Sequence, residues 1–411
     1  MKRLHAFYSW FRTRIVPHFH FLLPIFFKVA HHIVRTRPRR ILFLTSRGDY
    51  QCNPKWICEE LLRRGTKAEL IWCTRPSPAR GVPPAREFPP RLKLVWRRTL
   101  GFYYALLTSR IIVDNSVSYA YVGYTKKKGQ TVIETWHGAI GIKRFSKDQI
   151  KEPRWLRSAE QVGRETDYLL SNSTLEDAIY REDYWKVTPI LHTGHARNDI
   201  LCEGNSPRVL GLKAKIRALY GLDTATRICL YAPTFRDGAL SSDLGLDFGR
   251  LKQALERRFG GTWTIWLRLH FVTMQKLAQV GIPKGVTDVG AYPDIQELLT
   301  CVDVGITDYS SWICEYLLTR RPGFLYAPDL DDYQKTQRAF YYPLTELPYP
   351  LARTNDELEK AILGFNETDF PDACTAFLKA KGCIDDGHAA ERAATLIENI
   401  LDGPPPNGIC T

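Results

Sequence analysis

The stretch Asp303-Val-Gly-Ile-Thr-Asp-Tyr-Ser-Ser-Trp-Ile-Cys-Glu315 passes from a short apolar run to helical spacing through a polar turn. Val304 to Ile306 predicts a buried strand, and the apolar spacing from Trp312 onward predicts a helix. A helix start presents free backbone N–H groups and the positive end of the helix dipole, so this pattern suits a phosphate. An ordinary capped helix of an α/β domain is the other interpretation. The turn offers hydroxyls and a capping carboxylate from Thr307, Asp308, Ser310 and Ser311.

The same alternation of apolar runs and helical patterns extends through the chain from Arg40, with a polar break at Glu203 to Pro207. It predicts an α/β protein of two Rossmann-like halves facing across a cleft, with ligands at the carboxyl ends of the strands. The predicted strands are Ile41–Thr45, Leu70–Cys73, Lys93–Trp96, Ile111–Asp114, Val132–Thr135, Tyr168–Ser171, Ile228–Ala232, Thr264–Leu269, Val304–Ile306 and Gly323–Tyr326.

Length and cysteine content limit the class of protein. The chain has 411 residues, 44% of them apolar, which is enough for two hydrophobic cores. Its ten cysteines form no CxxC pair and several lie in apolar runs. This usage favours reduced, buried thiols over a disulfide framework or a zinc site.

The net charge of +13 is concentrated at the N-terminus, where residues 1–40 carry nine Lys and Arg residues and the first acidic residue is Asp49. Aromatic and aliphatic residues there recur at helical spacing, which predicts an amphipathic segment over residues 1–36 that binds an anionic membrane surface at the cytoplasmic face. The apolar run is too interrupted for a transmembrane helix and lacks a signal-peptide cleavage site. A basic arm for nucleic acid is the alternative. The predicted membrane-binding residues are Lys2, Arg3, Phe7, Trp10, Phe11, Arg12 and Arg14.

Polar clusters follow several of the predicted strands. His137 comes directly after one, with Gly138 permitting close backbone approach, and histidine suits general base work near neutral pH. A single histidine in this position is more often structural. Arg236 follows another strand and could bind a diphosphate, or lie on the surface beside a loop. Strand alternation would turn Arg268 and His270 to one face, where they could neutralise charge on a phosphate or be solvated.

Taken together, the clusters resemble the CDP-glycerol glycerophosphotransferase family of teichoic acid and capsule synthesis. The match runs in order from about residue 40 to about residue 395. The motifs that carry it are Asn53-Pro-Lys55, Thr135-Trp-His-Gly138, Gly194-His-Ala-Arg-Asn-Asp199, Tyr231-Ala-Pro-Thr-Phe-Arg-Asp237, Leu267-Arg-Leu-His270, Tyr292-Pro-Asp-Ile-Gln-Glu-Leu-Leu299, Ile306-Thr-Asp-Tyr-Ser-Ser311 and Asp386-Gly-His-Ala-Ala-Glu-Arg392.

The resemblance implies a GT-B fold, with an acceptor domain over residues 37–205, a CDP-alditol domain over 206–402 and a tail over 403–411. It implies transfer of glycerol phosphate from CDP-glycerol to a hydroxyl of a lipid-linked acceptor, with release of CMP. His137 matches the proposed general base and His270 a second essential histidine. Glu315 is interpreted as reaching the ribose, or as pairing with a neighbouring cation. The residues predicted to bind substrate are Arg268, Thr307, Asp308, Ser310, Ser311, Arg236, Thr234, Gly138, Arg197, Asn198 and Glu315.

Some residues depart from the family pattern. His195 and Ala196 replace an aromatic residue and a proline, and Gly387 to Ala390 lacks the usual Lys and Ser. These changes leave glycerol or ribitol open as the alditol, and the short chain suits a primase-like enzyme or a compact polymerase. No cofactor and no nucleic acid partner are expected. No catalytic metal is expected either, because the acidic run at Asp329 is interpreted as a loop and helix cap, and Arg, His and the helix dipole can stabilise the diphosphate. A sugar-nucleotide-dependent GT-B glycosyltransferase is the alternative function, and the oligomeric state stays open.

Overall fold

The computed structural model describes residues 23–46, 48–75, 88–150, 152–234, 245–269 and 282–403, with side chains from residue 27 onward. Two parallel β-sheets organise these residues, one in each half of the chain. Helices connect their strands, as parallel pairing requires. The predicted α/β class with two parallel sheets is confirmed.

The first sheet has seven parallel strands in the order β3-β2-β1-β4-β5-β6-β7. Its central strand is buried on both faces, as the unbroken apolar run around Ile112 predicts. The strands are β1 Arg37–Phe43, β2 Glu69–Thr74, β3 Lys93–Trp96, β4 Ser109–Asp114, β5 Thr131–Glu134, β6 Tyr168–Ser171 and β7 Ile190–His192.

The second sheet has six parallel strands in the order β10-β9-β8-β11-β12-β13. Counted from its own first strand, this is the order of the first sheet, 3-2-1-4-5-6, which is that of doubly wound nucleotide-binding sheets. Ligands bind such sheets where the strand order reverses, here between β1 and β4 and between β8 and β11. The strands are β8 Arg227–Tyr231, β9 Trp263–Leu267, β10 Val286–Asp288, β11 Val304–Thr307, β12 Gly323–Tyr326 and β13 Leu351–Ala352.

Helices flank both sheets, and several begin with the caps that their sequences predict. Ser206 Oγ accepts a hydrogen bond from Val209 N, and Pro207 occupies the first turn. The helices are α1 Leu23–Ile33, α2 Cys52–Arg63, α3 Leu100–Thr108, α4 Pro153–Glu165, α5 Thr174–Asp183, α6 Asp199–Cys202, α7 Pro207–Leu219, α8 Phe248–Phe259, α9 Ile295–Cys301, α10 Trp312–Tyr316, α11 Leu330–Thr336, α12 Asn355–Leu363, α13 Phe370–Ala380 and α14 Ala389–Asp402. The cysteines of the described ranges carry free thiols, most of them buried.

Strand β9 differs from the prediction in a way that bears on function. We predicted a strand through Leu269, which would have turned Arg268 and His270 to one face. The strand instead ends at Leu267, because its two neighbours contribute no paired residue beyond Tyr231 and Asp288. Arg268 therefore lies beyond the strand and His270 lies outside the described residues, so the shared face of this pair stays a prediction.

The N-terminal segment is described only in part. The predicted membrane-binding residues all lie within 1–22, outside the described residues, so their role stays a prediction. Helix α1 packs on the first sheet's helix layer through Phe27, whose ring meets Tyr103 and Tyr124 edge-on at centroid distances of 5.7 and 5.0 Å. Among the described residues, no helix is both long and apolar enough to cross a bilayer.

The last helix joins the second half of the chain to the first. Helix α14 packs beside α2, where the Arg64 guanidinium donates to Thr395 Oγ1 and Glu398 Oε2, each at 2.9 Å. Arg39 also pairs with Asp402 at 2.7 Å. A helix that the sequence assigned to the second domain thus lies on the helix layer of the first sheet, and the domain boundaries stay a prediction.

Candidate functional site

Polar residues from both sheets meet at the carboxyl ends of their strands. We call this group the strand-end site. It comprises Asn115, His137, Gly138 and Lys143 after strands β4 and β5 of the first sheet, and Thr234, Ser310 and Ser311 after strands β8 and β11 of the second.

His137 lies immediately beyond β5, and its side chain is exposed. Its Nδ1 lies 2.6 Å from the backbone carbonyl oxygen of Asn115, at the end of β4. A carbonyl oxygen can only accept, so Nδ1 donates and carries the proton of the neutral ring. The lone pair is then on Nε2, which is the tautomer that a general base needs.

A buried carboxylate holds the turn that presents this carbonyl. Asp114 Oδ1 accepts from Asn115 N at 2.8 Å, and Oδ2 accepts from Ser118 N at 2.8 Å. Burial raises the pKa of Asp114 to about 6. The neighbouring Glu134 accepts from Trp136 N at 2.8 Å, and burial together with Asp114 raises its pKa well above the ordinary value. Two strand-end acids therefore support the backbone on either side of His137.

In the second sheet, buried groups join strands β8 and β11 where the strand order reverses. The Asp308 carboxylate accepts from Thr234 N at 2.8 Å, and Thr307 Oγ1 donates to Ala232 O at 2.7 Å. Both side chains are almost completely buried. Thr307 and Asp308 thus hold the strand ends together, and their contact with a substrate stays a prediction. Thr234 stays half-buried at the edge of the site.

The turn after β11 is open where it carries Ser310 and Ser311, both half-exposed. We predicted a regular helix capped by a carboxylate. Helix α10 instead begins at Trp312, spans five residues and continues as a single 3₁₀ turn, Leu317–Thr319. Asp308 does not cap it, because its carboxylate bonds Thr234 N and Tyr309 N.

The two sheets approach each other closely at this site. A Cβ atom placed on Gly138 would lie 3.7 Å from Ser311 Oγ, which is an ordinary van der Waals contact, so the two loops are close neighbours here. Lys143 Nζ donates to Thr234 Oγ1 at 3.2 Å across the same junction. Beside it, residues 142–144 pair with 339–341 through Tyr341 N to Ile142 O at 2.8 Å and Arg144 N to Ala339 O at 2.9 Å.

A second polar group connects the halves behind the site, away from the open strand ends. We call it the buried interface. It comprises Asn53, Lys55, Glu176, His195, Arg197, Asn198, Asp294, Gln296, Glu297, Glu315 and Asp385, nearly all of them buried.

Lys55 is the centre of one part of this interface. Its ammonium group pairs with Asp294 Oδ2 at 3.0 Å and with Glu297. Trp56 Nε1 donates to the same Asp294 oxygen at 3.2 Å. Burial alone would lower the pKa of Lys55, but these two carboxylates raise it above its ordinary value. Two of the sequence motifs thus meet as a buried ion pair.

Arg197 and Glu315 form the second buried ion pair, and Gln296 donates to the other oxygen of the same carboxylate. Burial alone would lower the pKa of Arg197, but Glu315 raises it. Because Glu315 is only 1% exposed, its carboxylate is occupied inside the protein. The cation-pairing interpretation of Glu315 therefore describes the structure, and the substrate contacts of Glu315 and Arg197 stay predictions.

The turn around His195 completes the interface. Asn198 Nδ2 donates to Asp385 Oδ2 at 2.8 Å and the residue is fully buried, and its substrate contact stays a prediction. His195 N donates to Asp385 Oδ1 at 2.7 Å, and the ring lies between Glu176 and Asn53, each at 2.8 Å. His195, one of the two departures from the family pattern here, is therefore a buried structural contact.

Three other residues that the sequence predicted near the donor diphosphate belong to neither of the two groups defined above. The Arg268 guanidinium donates to the backbone carbonyls of Tyr292 at 2.6 Å and Val289 at 3.1 Å, so it supports the loop that leads to Asp294. Its contact with a donor diphosphate stays a prediction. Arg236 and His270 lie outside the described residues.

No group of three or more His, Cys, Asp or Glu side chains suited to a metal occurs in the part of the chain that the structure describes. Asp329 precedes helix α11 and accepts from Tyr309 OH at 2.8 Å, while Asp331 pairs with Arg353. The acidic run there therefore makes contacts within the protein. Independence from metal stays a prediction.

Sequence reasoning gave no role to Asn115, Lys143 or Asp114. The rule that polar residues after parallel strands share one edge also covers Asp114 and Asn115, which follow β4 directly. Nothing in the sequence points to Lys143, because its partner Thr234 lies 91 positions away.

Known proteins were compared with this fold and site. Residues 25–399 match the family described as CDP-Glycerol:Poly(glycerophosphate) glycerophosphotransferase. A teichoic acid poly(glycerol phosphate) polymerase of Staphylococcus epidermidis is 29% identical over 89% of this chain and 51% of its own length. A protein of that description from Bacillus spizizenii is 25% identical over 95% of this chain and 100% of its own length. The chain thus spans about half the length of the first of these relatives.

Among solved structures, one of the wall teichoic acid polymerase TagF, a variant soaked with CDPG, has a TM-score of 0.79 and 26% identity. That match covers 97% of this chain and 98% of the other. A second TagF variant has a TM-score of 0.76 and 27% identity, over 89% of this chain and 90% of the other. The fold described above is therefore shared with a solved polymerase over almost the whole chain.

Proposed function

Because the chain belongs to the CDP-glycerol:poly(glycerophosphate) glycerophosphotransferase family, we propose that it transfers glycerol phosphate from CDP-glycerol to a hydroxyl of a lipid-linked acceptor. The acceptor is a saccharide on an undecaprenyl diphosphate type lipid, or a polyol phosphate, and CMP is released. The reaction is a step of teichoic acid or capsule synthesis, catalysed without a cofactor by a primase-like enzyme or a compact polymerase.

In this proposal the two sheets are the halves of a GT-B fold. The first half binds the acceptor and the second half binds CDP-glycerol. The protein works as a peripheral protein at the cytoplasmic face of the membrane, held by its basic N-terminal segment. The concentration of positive charge within residues 1–40 and the lipid nature of the acceptor support this location.

The orientation of His137 is the observation that carries the proposal. Its Nδ1–H is fixed on Asn115 O, so Nε2 is the basic nitrogen of the neutral ring, and the exposed side chain lies at the junction where Gly138 meets Ser311. In the transfer, Nε2 takes the proton of the acceptor hydroxyl as its oxygen forms a bond to the phosphorus that carries glycerol. The bond between that phosphorus and the bridging oxygen breaks, and CMP leaves with the electron pair. Positioned general bases contribute about a hundredfold or more to such steps.

The donor side completes the site. Ser310 and Ser311, half-exposed beside Gly138, supply hydroxyl donors for the diphosphate, and Thr234 lies at the neighbouring strand end. His270, Arg268 and Arg236 stabilise the charge that builds on the diphosphate, as their places in the family motifs imply. Fixed donors of this kind stabilise a developing charge without reorganisation during the reaction.

The test is CMP release from CDP-glycerol with a soluble analogue of a lipid-linked disaccharide. We expect release that depends on the acceptor and falls by about a hundredfold or more in His137→Ala, without loss of thermal stability. His192→Ala is the matched control, because this exposed histidine of β7 bonds Asp177 away from the site. Equal turnover by His137→Ala and the control would contradict the proposed base.

Parallel assays decide the remaining alternatives. CDP-ribitol tests the alditol, and UDP-sugars test the glycosyltransferase alternative. The number of units added to each acceptor distinguishes a primase from a polymerase. A large increase in rate with Mg²⁺ over EDTA would contradict a mechanism without metal.

A further inference from the structure

Asn53 connects the buried interface to the backbone that carries His137. It lies in the first turn of α2 and is 1% exposed. Its amide nitrogen lies 2.9 Å from Thr135 O and 3.3 Å from Trp136 O, the two carbonyls that immediately precede the candidate base. No role follows for this residue from the reaction described above.

The backbone at this point has an uncommon conformation. Trp136 has a φ of +50°, in the left-handed region that bulky residues rarely occupy. Such a conformation is strained and persists only where surrounding contacts impose it. Convergence of the Thr135 and Trp136 carbonyls on one amide group is a contact of that kind.

The orientation of the Asn53 amide is itself determined. Arg197 N donates to Asn53 Oδ1 at 3.1 Å, and a backbone N–H can only donate, so the amide nitrogen must face Thr135 and His195. The guanidinium of Arg197 pairs with Glu315, four residues beyond Ser311 on the donor side. Asn53 is therefore linked through Arg197 to Glu315 of the second half while it holds the 135–137 loop of the first.

We propose that Asn53 is a positioning residue for His137, which sets the backbone from which the imidazole projects through its bonds to Thr135 O and Trp136 O. The inference rests on the proposed function only in giving His137 its role as base. The placement of the ring is a claim about the structure alone. Arg197 and Glu315 tie that placement to the turn that carries Ser310 and Ser311.

The experiment compares Asn53→Ala with Asn172→Ala. Asn172 is an equally buried amide that bonds Asp385 at 2.7 Å, in the same polar network but without contact to the 135–137 loop. We expect kcat to fall by about tenfold to a hundredfold in Asn53→Ala, the range that a misplaced catalytic group produces. The dissociation constant for CDP-glycerol should stay within about twofold. In Asn172→Ala, kcat per folded molecule should stay within about threefold.

A double-mutant cycle separates positioning from general damage. If Asn53 acts through His137, adding Asn53→Ala to His137→Ala should lower the residual rate by less than about twofold. A further loss as large as in the wild-type background would overturn the proposal. Asn53→Ser, which keeps one donor, should recover part of kcat, and it takes the place of Asn53→Ala if that variant does not fold.

A third measurement is independent of the reaction. In protein labelled with ¹⁵N at histidine, the signals missing in His137→Ala identify the His137 ring, and their shifts report which nitrogen carries the proton. We expect Nδ1–H in the wild type and changed shifts in the Asn53 variant but not in Asn172→Ala. Unchanged signals would overturn the inference even if CMP release fails, whereas failed release with changed signals would reject only the proposed function.

Discussion

The strand-end site and the buried interface are built from the same set of sequence motifs but use them differently. Around His137, Ser310 and Ser311 the side chains are exposed or half-exposed, and backbone groups hold the loops that carry them. At Lys55 and Arg197 the charged groups are buried and each is paired with a carboxylate from the other half. A motif residue is therefore available to a substrate only where no partner from the other sheet occupies it.

The largest effect should come from breaking the buried interface. In Lys55→Met the carboxylates of Asp294 and Glu297 lose their buried counter-ion, so we expect unfolding to become easier by about 3–5 kcal/mol. Chemical denaturation measures this loss. The matched control is Lys93→Met, because Lys93 pairs with Glu69 at 2.7 Å but is 68% exposed. Its effect should stay within about 1 kcal/mol, and equal losses would show that burial does not distinguish the two pairs.

A slightly smaller effect tests the reassignment of Glu315. Glu315→Gln leaves the Arg197 charge without its carboxylate, and we expect about 2–3 kcal/mol of lost stability, with the affinity for CDP-glycerol within about twofold. Denaturation and calorimetric titration on one preparation measure the two quantities. A variant of unchanged stability with weakened donor binding would restore the ribose contact and place Glu315 in the strand-end site.

The hydroxyl groups of Ser311 and Thr307 extend the comparison between the strand-end site and the buried contacts. Ser311→Ala removes a half-exposed donor, so affinity for CDP-glycerol should fall about tenfold while stability changes by less than about 0.5 kcal/mol. Thr307→Val removes a buried bond to Ala232 O and should do the reverse, costing about 1 kcal/mol with donor affinity unchanged. If both variants change donor affinity, or both change stability, Ser311 and Thr307 do not differ in role as proposed.

A pH dependence is expected beside the buried interface, at the start of α14. Asp199 accepts from Ala389 N and Ala390 N at the start of α14, and burial raises its pKa from the ordinary 3.8 to about 7. At pH values between these two, the Asp199 carboxyl group binds its proton more tightly in the folded protein than in the unfolded chain. Raising the pH removes this proton and therefore lowers the stability of the folded protein. Relative to Asp199→Asn, the wild type should therefore lose stability between about pH 4 and 7, by at most about 1.4 kcal/mol per pH unit.

The control for this titration has the opposite sign. The Arg392 guanidinium bonds Asp386 and lowers the pKa of that carboxyl. The stability that this ion pair contributes is present above the ordinary pKa of an aspartate, and it is lost as pH falls through the lowered pKa of Asp386. Relative to Asp386→Asn, the wild type should lose stability only in acid. Denaturation curves at several pH values compare the variants with the wild type. If Asp199→Asn and the wild type depend on pH in the same way, the titration of Asp199 does not contribute to stability.

Much of the fold could be predicted because it depends on local pattern. The strand at Lys93–Trp96 and the one at Gly323–Tyr326 have the predicted bounds, since apolar alternation and flanking turns determine where a strand can form. The predicted strand through Leu269 ends two residues early because its length depends on neighbouring strands. The predicted helix after Ser311 spans five residues and continues as a 3₁₀ turn, and the carboxylate expected to cap it bonds Thr234 N of the neighbouring strand end.

The sequence by itself determined the class of fold, the family and the position of His137 at a strand end, because order, spacing and residue type are properties of the chain. Only the tertiary structure decided which polar motif residues are exposed at the strand ends and which are buried in contacts between the two halves. Lys55 and Asp294 lie 239 positions apart, and Arg197 and Glu315 lie 118 apart. The sequence of a charged residue is the same whether its side chain contacts a ligand or a buried counter-ion. The packing of the two sheets determines which of the two it contacts.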